Sequence, residues 1–431
     1  MKRLLTFISI CILPNFLFSQ DNESRNCSHQ NLDNAMAKKH ADWHTSRALL
    51  EKKVTEYLKK KENIKEEGSL AVIQIPVVVH VVHNNSSNFI GGANNPNISE
   101  AQIQSQIVVL NEDFRRKANT AGFNTNLVGA DMEIEFYLAT TDPKGQPTNG
   151  ITRDYNNKDT YDPYNMGDVE LSNIAYWPSD KYLNIWVVPK LTGTIGFSQF
   201  PYSDAVPGFP PSLLAKQKTD GIYVPHFHFG RNIGTVTSNL YGLGRVATHE
   251  IGHWLGLIHT WGDDFCGNDY CNDTPQIEKS NLLKTCEDVF SNCSSRIRNM
   301  TENYMDYSPD ACLNIFTNDQ KKRVYAILNT SQLRKSIISQ KIILPTPDNL
   351  IVNVAPNPSS AYTTIQAYFK GTKDLNFEIY DSSGTLVFQS MIANTASTNN
   401  TIDLSKLING VYFLKTKTNT ETITTKFVLS K

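Results

Sequence analysis

The sequence predicts an α+β domain over residues 71–345, followed by a small all-β, Ig-like sandwich over 346–431. Three observations carry this. The run AVIQIPVVVHVVH, residues 71–83, is continuously apolar and rich in β-branched residues, so it reads as a strand buried on both faces. The string HEIGHWLGLIH, His249 to His259, reads as a helix ended by a glycine. After Pro345 and Pro347 the pattern changes to short alternating runs separated by turn residues. Hydrophobic residues make up 40% of the 431 and charged residues 19%, so the bulk of the chain reads as globular. The net charge of −1 gives no electrostatic case for nucleic acid or an anionic membrane as partner.

Taken in order, the chain begins MKRLLTFISICILPNFLFSQ. Lys2 and Arg3 precede an apolar stretch from Leu4 to Phe18, the order of a secretory signal peptide (residues 1–20) and too short to serve as a membrane span. Residues 21–70 are charged and helix-prone, with Leu50, Val54, Tyr57 and Leu58 at helical spacing, and read as a pro-segment. Within 71–83, His80 and His83 read as strand residues rather than ligands. A helix is expected over 99–116, with Ile103, Ile107, Leu110 and Phe114 on one face and a capping box from Ser99 and Gln102. Strands are expected at Met132–Thr140 and Tyr182–Val188. The stretch 260–345 reads as loops ending in a helix that starts near Thr317. Five strands are expected in the tail, at Thr364–Phe369, Asn376–Tyr380, Thr385–Phe388, Val411–Lys415 and Thr424–Leu429.

The chemistry is concentrated in HEIGHWLGLIH. On a helix, His249 and His253 lie one turn apart on one face and can share a metal ion. Gly256 can adopt the left-handed conformation that turns the chain back and brings up His259 as a third ligand. Three neutral imidazoles leave the fourth position of a tetrahedral zinc open for water, as catalytic sites do. Glu250 is placed to act as general base on that water. An amphipathic core helix would leave three correctly spaced histidines unexplained.

Wording beyond the motif carries a family resemblance. ENYMDYSPDAC, with Met305 and Tyr307, resembles the Met-turn of the metzincin zinc peptidases. Trp254 inside the zinc motif, HTWGDD after it, CNDTP at Cys271–Pro275, and NYMDYSPDAC followed by FTNDQ resemble the pappalysin (cytophagalysin) metzincins. The resemblance spans roughly residues 70–330. It implies a twisted mixed sheet, an active-site helix and a loop-rich lower subdomain. It implies Met305 as an apolar floor under the zinc, and Tyr307 as a metal or transition-state contact. GFSQFP, Gly196–Pro201, resembles the edge strand above the cleft, which can pair with an extended substrate. The resemblance also implies acceptance of Arg or Lys after the scissile bond, with Asp306 and Asp310 as candidate pocket residues. It raises Ca2+ as a second cation beside Zn2+, with Asp269 and Asp273 as candidate ligands.

Six of the seven cysteines remain after signal cleavage, and five cluster between 266 and 312, as expected of loop staples in an exported protein. The resemblance favours Cys286–Cys312, and a bridge to Cys293 from either Cys271 or Cys266. The sixth cysteine, Cys27 in SRNCSHQ, resembles a cysteine switch whose thiolate occupies the open zinc position; the alternative is a disulfide with the left-over cysteine. In the tail, VAPNPSS, IYDSSGTLV, IDLSKLINGVYFLK and KFVLSK resemble the C-terminal sorting domain of the type IX secretion system of Bacteroidota. The expected protein is a monomeric, secreted zinc endopeptidase made as a zymogen. Its substrates are proteins or peptides, and it is passed by the type IX machinery to the outside or outer surface of a Gram-negative cell. The rivals are a non-catalytic surface adhesin, which Glu250 argues against, and a zinc amidase acting on a non-peptide amide.

Overall fold

The computed structural model describes residues 43–62, 72–146, 148–163, 170–201, 218–339, 348–355, 357–359 and 362–430. The expected signal peptide, Cys27 and the Pro345/Pro347 linker lie outside these residues.

Strand β1 (Ile73–His83) organises a six-stranded sheet. It pairs in parallel with β2 (Ile134–Leu138) and β3 (Ile151–Tyr155) along one edge and with β4 (Leu183–Val188) along the other. The sheet continues through β6 (Gly221–Pro225) to the antiparallel edge strand β5 (Phe197–Ser198). Alternation along β1 explains why its run is apolar throughout. Ile75, Val77, Val79 and Val81 face one core with Ile103, Ile107, Leu110 and Phe114 of α2 (Glu100–Phe114). Val82 faces a second core with Trp186, Val188 and Tyr223. His80 lies between Thr152 Oγ1 (2.8 Å) and Asn184 Oδ1 (2.9 Å), and burial lowers its pKa to about 4. It is a satisfied core histidine, as expected.

Ser99 caps α2 by accepting the Gln102 N–H at 3.2 Å. The expected capping box is only half made, because the Gln102 Oε1 that would accept the Ser99 N–H accepts the Thr235 N–H instead, at 3.0 Å, while its Nε2 donates to His226 O and Phe229 O. The short helix α3 (Glu170–Ile174) precedes β4, and the motif helix α4 (Arg245–Trp254) packs on the first core. The reciprocal capping box is found on α5 (Asn318–Thr330), between Thr317 and Gln320. Helix α6 (Gln332–Ser339) follows. Upstream, α1 (Trp43–Glu62) buries Leu50 and Val54 against Ile258, Ala326, Ile327 and Phe200. Its Glu51 accepts two hydrogen bonds, 2.8 and 2.6 Å, from the buried Arg323.

Between α4 and α5 the described chain is loops, one small hairpin, β7 (Phe290–Ser291) with β8 (Ile297–Arg298), and a 3-10 turn at Asp310–Cys312. Cys266–Cys293 and Cys286–Cys312 are disulfides. The pairing of Cys271 with Cys293 is thus corrected: Cys271 is a free, buried thiol, and Cys266 takes its place. The tail is a two-sheet sandwich. One sheet holds β9 (Ile351–Ala355), β10 (Tyr362–Tyr368) and β13 (Thr398–Asp403) in the order β13-β10-β9. The other holds β11 (Lys373–Tyr380), β12 (Leu386–Thr395), β14 (Gly410–Lys417) and β15 (Thr422–Leu429) in the order β12-β11-β14-β15. Ile365, Phe377, Ile379, Leu414 and Phe427 share its core.

Candidate metal centre and active site

Both ends of α4 are clamped by buried charge. At its start, Asp310 Oδ2 accepts the Leu243 and Arg245 N–H groups at 2.9 and 3.1 Å. Asp113 of α2 takes Arg245 at 3.3 Å and the Thr248 hydroxyl at 2.8 Å. At its end, Asp220 accepts the Trp254 indole N–H (3.2 Å) and a bidentate pair from Arg334 of α6 (2.7 and 2.8 Å). The Arg334 guanidinium lies 3.8 Å over the Trp254 ring and donates to Trp254 O.

Gly256 follows the helix with φ +90°, the left-handed turn expected from the sequence. It brings His259 to His249 and His253, and one ring nitrogen from each lies within 4.8 Å of the others. All three rings are buried. His249 Nδ1 faces Tyr304 O at 2.7 Å, His253 Nδ1 faces Leu257 O at 2.8 Å, and His259 Nδ1 faces a carboxylate oxygen of Asp263. A carbonyl or carboxylate oxygen only accepts, so each Nδ1 carries the proton and each Nε2 presents a lone pair. Those Nε2 atoms converge, 3.2 Å between His249 and His253 and 3.0 Å between His253 and His259. Lone pairs so close repel unless a cation lies between them. Tetrahedral zinc with nitrogens at about 2.0–2.1 Å would set them roughly 3.3 Å apart. The donor set fits zinc.

Met305 is fully buried beneath this helix, and a Cβ at Gly252 would collide with its sulfur. The glycine inside HEIGH is therefore what lets the methionine floor approach. Tyr307 sits beside two of the histidines, with ring centroids 5.9 Å from His249 and 5.0 Å from His259. Glu250 is buried, and Gly196 packs on it: a Cβ there would stand 2.5 Å from Glu250 Oε1. The chain entering edge strand β5 thus borders the candidate base.

Asp306 and Asp310, expected in a specificity pocket, are not solvent-accessible. Both are buried and bonded to the scaffold. Asp306 accepts from Asn281 N (3.1 Å), Asn281 Nδ2 (2.9 Å) and Ser308 Oγ (2.9 Å), while burial raises its pKa. Asp310 serves α4 as described. Asp269 and Asp273 do come together, lining a cavity of about 730 Å³ with Thr260, Asn268 and Gln276. Asp269 bonds Cys271 N (3.1 Å) and the Thr274 hydroxyl (2.7 Å), and burial raises its pKa to about 6. Asp273 Oδ2 accepts Asp319 N, and its Oδ1 is buried without a partner.

Several contributors were not singled out from sequence. Tyr304 O and Leu257 O are backbone atoms with no sequence signature. Asp113, Asp220 and Arg334 meet α4 only through the fold. Asp263 and Trp261 had a signal, since both follow His259 within a few residues in HTWGDD.

Residues 168–329 match the family described as pregnancy-associated plasma protein-A, and residues 353–430 match a secretion-system C-terminal sorting domain. An extracellular metalloprotease of Colletotrichum graminicola is 30% identical over 277 residues, 62% of this chain and 81% of that protein. Extracellular metalloprotease 1 of Coccidioides posadasii is 28% identical, over 61% of this chain and 80% of that protein. Among solved structures, mature mirolysin of Tannerella forsythia in complex with a cleaved peptide matches at 38% identity and a TM-score of 0.53. That match covers 63% of this chain and 97% of mirolysin. A promirolysin mutant matches at 34% identity and a TM-score of 0.52, covering 73% of this chain and 97% of that one. Among the described residues no helix is long and apolar enough to cross a membrane. The sorting tail marks the chain for secretion, and with the zinc-type histidine cluster above it this chain belongs to the pregnancy-associated plasma protein-A (pappalysin) family of metzincin metallopeptidases.

Proposed function

We propose that this secreted metalloendopeptidase holds zinc through His249, His253 and His259 and uses Glu250 as its general base. The convergence of three Nε2 lone pairs, each fixed by an acceptor on Nδ1, is the observation that carries this. Zinc bound there supplies Lewis acidity, polarising a peptide carbonyl and acidifying water. Glu250 takes the proton from the attacking water and delivers it to the leaving amine nitrogen. Tyr307 stands beside the histidines, where its side chain can stabilise the oxyanion. Edge strand β5 orients an extended substrate by backbone pairing. Casein hydrolysis that is abolished by a zinc chelator and restored by zinc tests the activity against the adhesin and amidase readings. Intact casein with zinc-loaded protein freed of its pro-segment would reject it.

The division into signal (1–20), pro-segment (21–70), peptidase (71–345) and sorting domain (346–431) belongs to the same proposal. Burial of α1 against Ile258 and α5, with Glu51 on Arg323, supports a pro-segment that grips the peptidase. A Cys27 thiolate would close the fourth zinc position in the zymogen. The competing disulfide would need Cys271, which is buried, with its thiol pKa pushed up by that burial. The Asp269/Asp273 cavity is the proposed calcium site, and the unpartnered Asp273 Oδ1 supports it. Delivery runs through the type IX machinery, which the tail engages.

A further inference from the structure

The three histidines are not held alike. His249 and His253 ride on α4, and each Nδ1 meets a neutral backbone carbonyl. His259 lies beyond the end of the helix, on a loop. What fixes its ring comes from the residues just after it. Trp261 stacks on the imidazole, with centroids 4.2 Å apart and planes 9° from parallel. Asp263, with its side chain 19% exposed, places its carboxylate on Nδ1. The chain turns tightly to achieve this. Gly262 has φ +66° and Asp263 φ +59°. Any side chain at 262 would collide with the backbone of Gly267 and Asn268.

We propose that Asp263 is the positioning residue of the third zinc ligand. Its carboxylate locks the His259 tautomer that presents a lone pair on Nε2, and makes that imidazole a stronger donor than its two carbonyl-bonded neighbours. This inference rests on the histidine-triad reading above.

The test compares full-length Asp263→Asn, Asp263→Ala and His259→Ala with wild type, loaded with zinc and titrated with a chelator. Asp263→Asn retains an acceptor of the same size and loses only the charge. The expected result is that Asp263→Ala gives up zinc at roughly 10–100-fold lower chelator strength, with Asp263→Asn in between. In the cobalt-substituted protein, the visible ligand-field bands should shift in Asp263→Asn while its far-ultraviolet circular dichroism stays unchanged. Merely structural damage would change the circular dichroism and leave the bands of the folded fraction in place. His259→Ala separates the two claims. If it retains zinc like wild type, the triad reading fails. If it loses zinc while both Asp263 variants hold metal and cobalt spectrum like wild type, the role of Asp263 is overturned and the triad stands. Should Asp263→Ala not fold, the Asn variant alone decides.

Discussion

The peptidase part and the tail sandwich of this chain are held together by different means. Around α4, fully buried ion pairs do the positioning: Arg245 with Asp113, and Arg334 with Asp220, all nearly inaccessible to solvent. In the sandwich the core is apolar, with Ile365, Phe377, Ile379, Leu414 and Phe427, and ion pairs such as Lys370–Asp348 and Lys373–Glu421 keep solvent contact. Buried charge is a poor way to gain stability, since desolvation offsets much of the attraction. It is a good way to fix geometry, because a buried carboxylate without its partner is costly in every alternative arrangement. The peptidase needs three nitrogens and a carboxylate in fixed positions. The sandwich needs only to present a folded surface, and area burial suffices.

Breaking one element of each kind sharpens this contrast. Arg334→Ala leaves Asp220 buried and unpaired, and should destabilise the peptidase by about 3–5 kcal/mol. Thermal unfolding would show a lowered peptidase transition with loss of zinc, and a smaller change in the sandwich transition, which is tied to the peptidase by contacts such as Tyr362 with Val108. Phe377→Ala costs a comparable 3–5 kcal/mol or so, as a cavity rather than a stranded charge. It should lower mainly the sandwich transition and leave casein hydrolysis at the wild-type rate. Coupled loss of both transitions in either variant would dissolve the distinction.

A smaller effect probes the acidic cavity. The Asp269 carboxyl is raised from 3.8 to about 6 by burial, so the folded state favours its protonated form. That contribution is fully present below about pH 4 and is lost as pH rises through 6. Asp269→Asn keeps the Cys271 N–H on its carbonyl oxygen and reverses the Thr274 bond, its amide N–H donating to the hydroxyl, without the charge. In calcium-free buffer it should therefore gain on wild type between pH 4 and 7, by up to roughly 3 kcal/mol. Calcium should close the gap if the cavity binds it. A stability difference flat across this range would contradict the buried-carboxylate account.

How far the sequence reached follows the same division. Local patterns were legible: the run of β1, the spacing in HEIGHWLGLIH, the turn at Gly256, and the helix start at Thr317. The polar strand β13 (Thr398–Asp403) was not, because its interior residues include Asn399 and Asn400 and only pairing with β10 makes it a strand. Strand β6 was likewise missed, being five residues long and flanked by loops. Asp113, Asp220 and Arg334 reach α4 from distant segments, so no local spacing announces them. Asp306 and Asp310 looked available because they sit beside the Met-turn. Their buried bonds to Asn281, Ser308, Leu243 and Arg245 exist only in three dimensions. The Cys266 pairing, too, depended on which loop the fold brings to Cys293.

The central claim is that the three histidines hold the metal while Glu250 moves the proton. Glu250→Ala separates these roles in one protein. Zinc content measured by metal analysis should equal that of wild type, because Glu250 is not a ligand. Casein hydrolysis, measured for both proteins after removal of the pro-segment, should fall by about 10²–10⁴-fold, the usual contribution of a placed general base. A Glu250→Ala protein that retains its zinc and still cleaves casein at the wild-type rate would contradict the account.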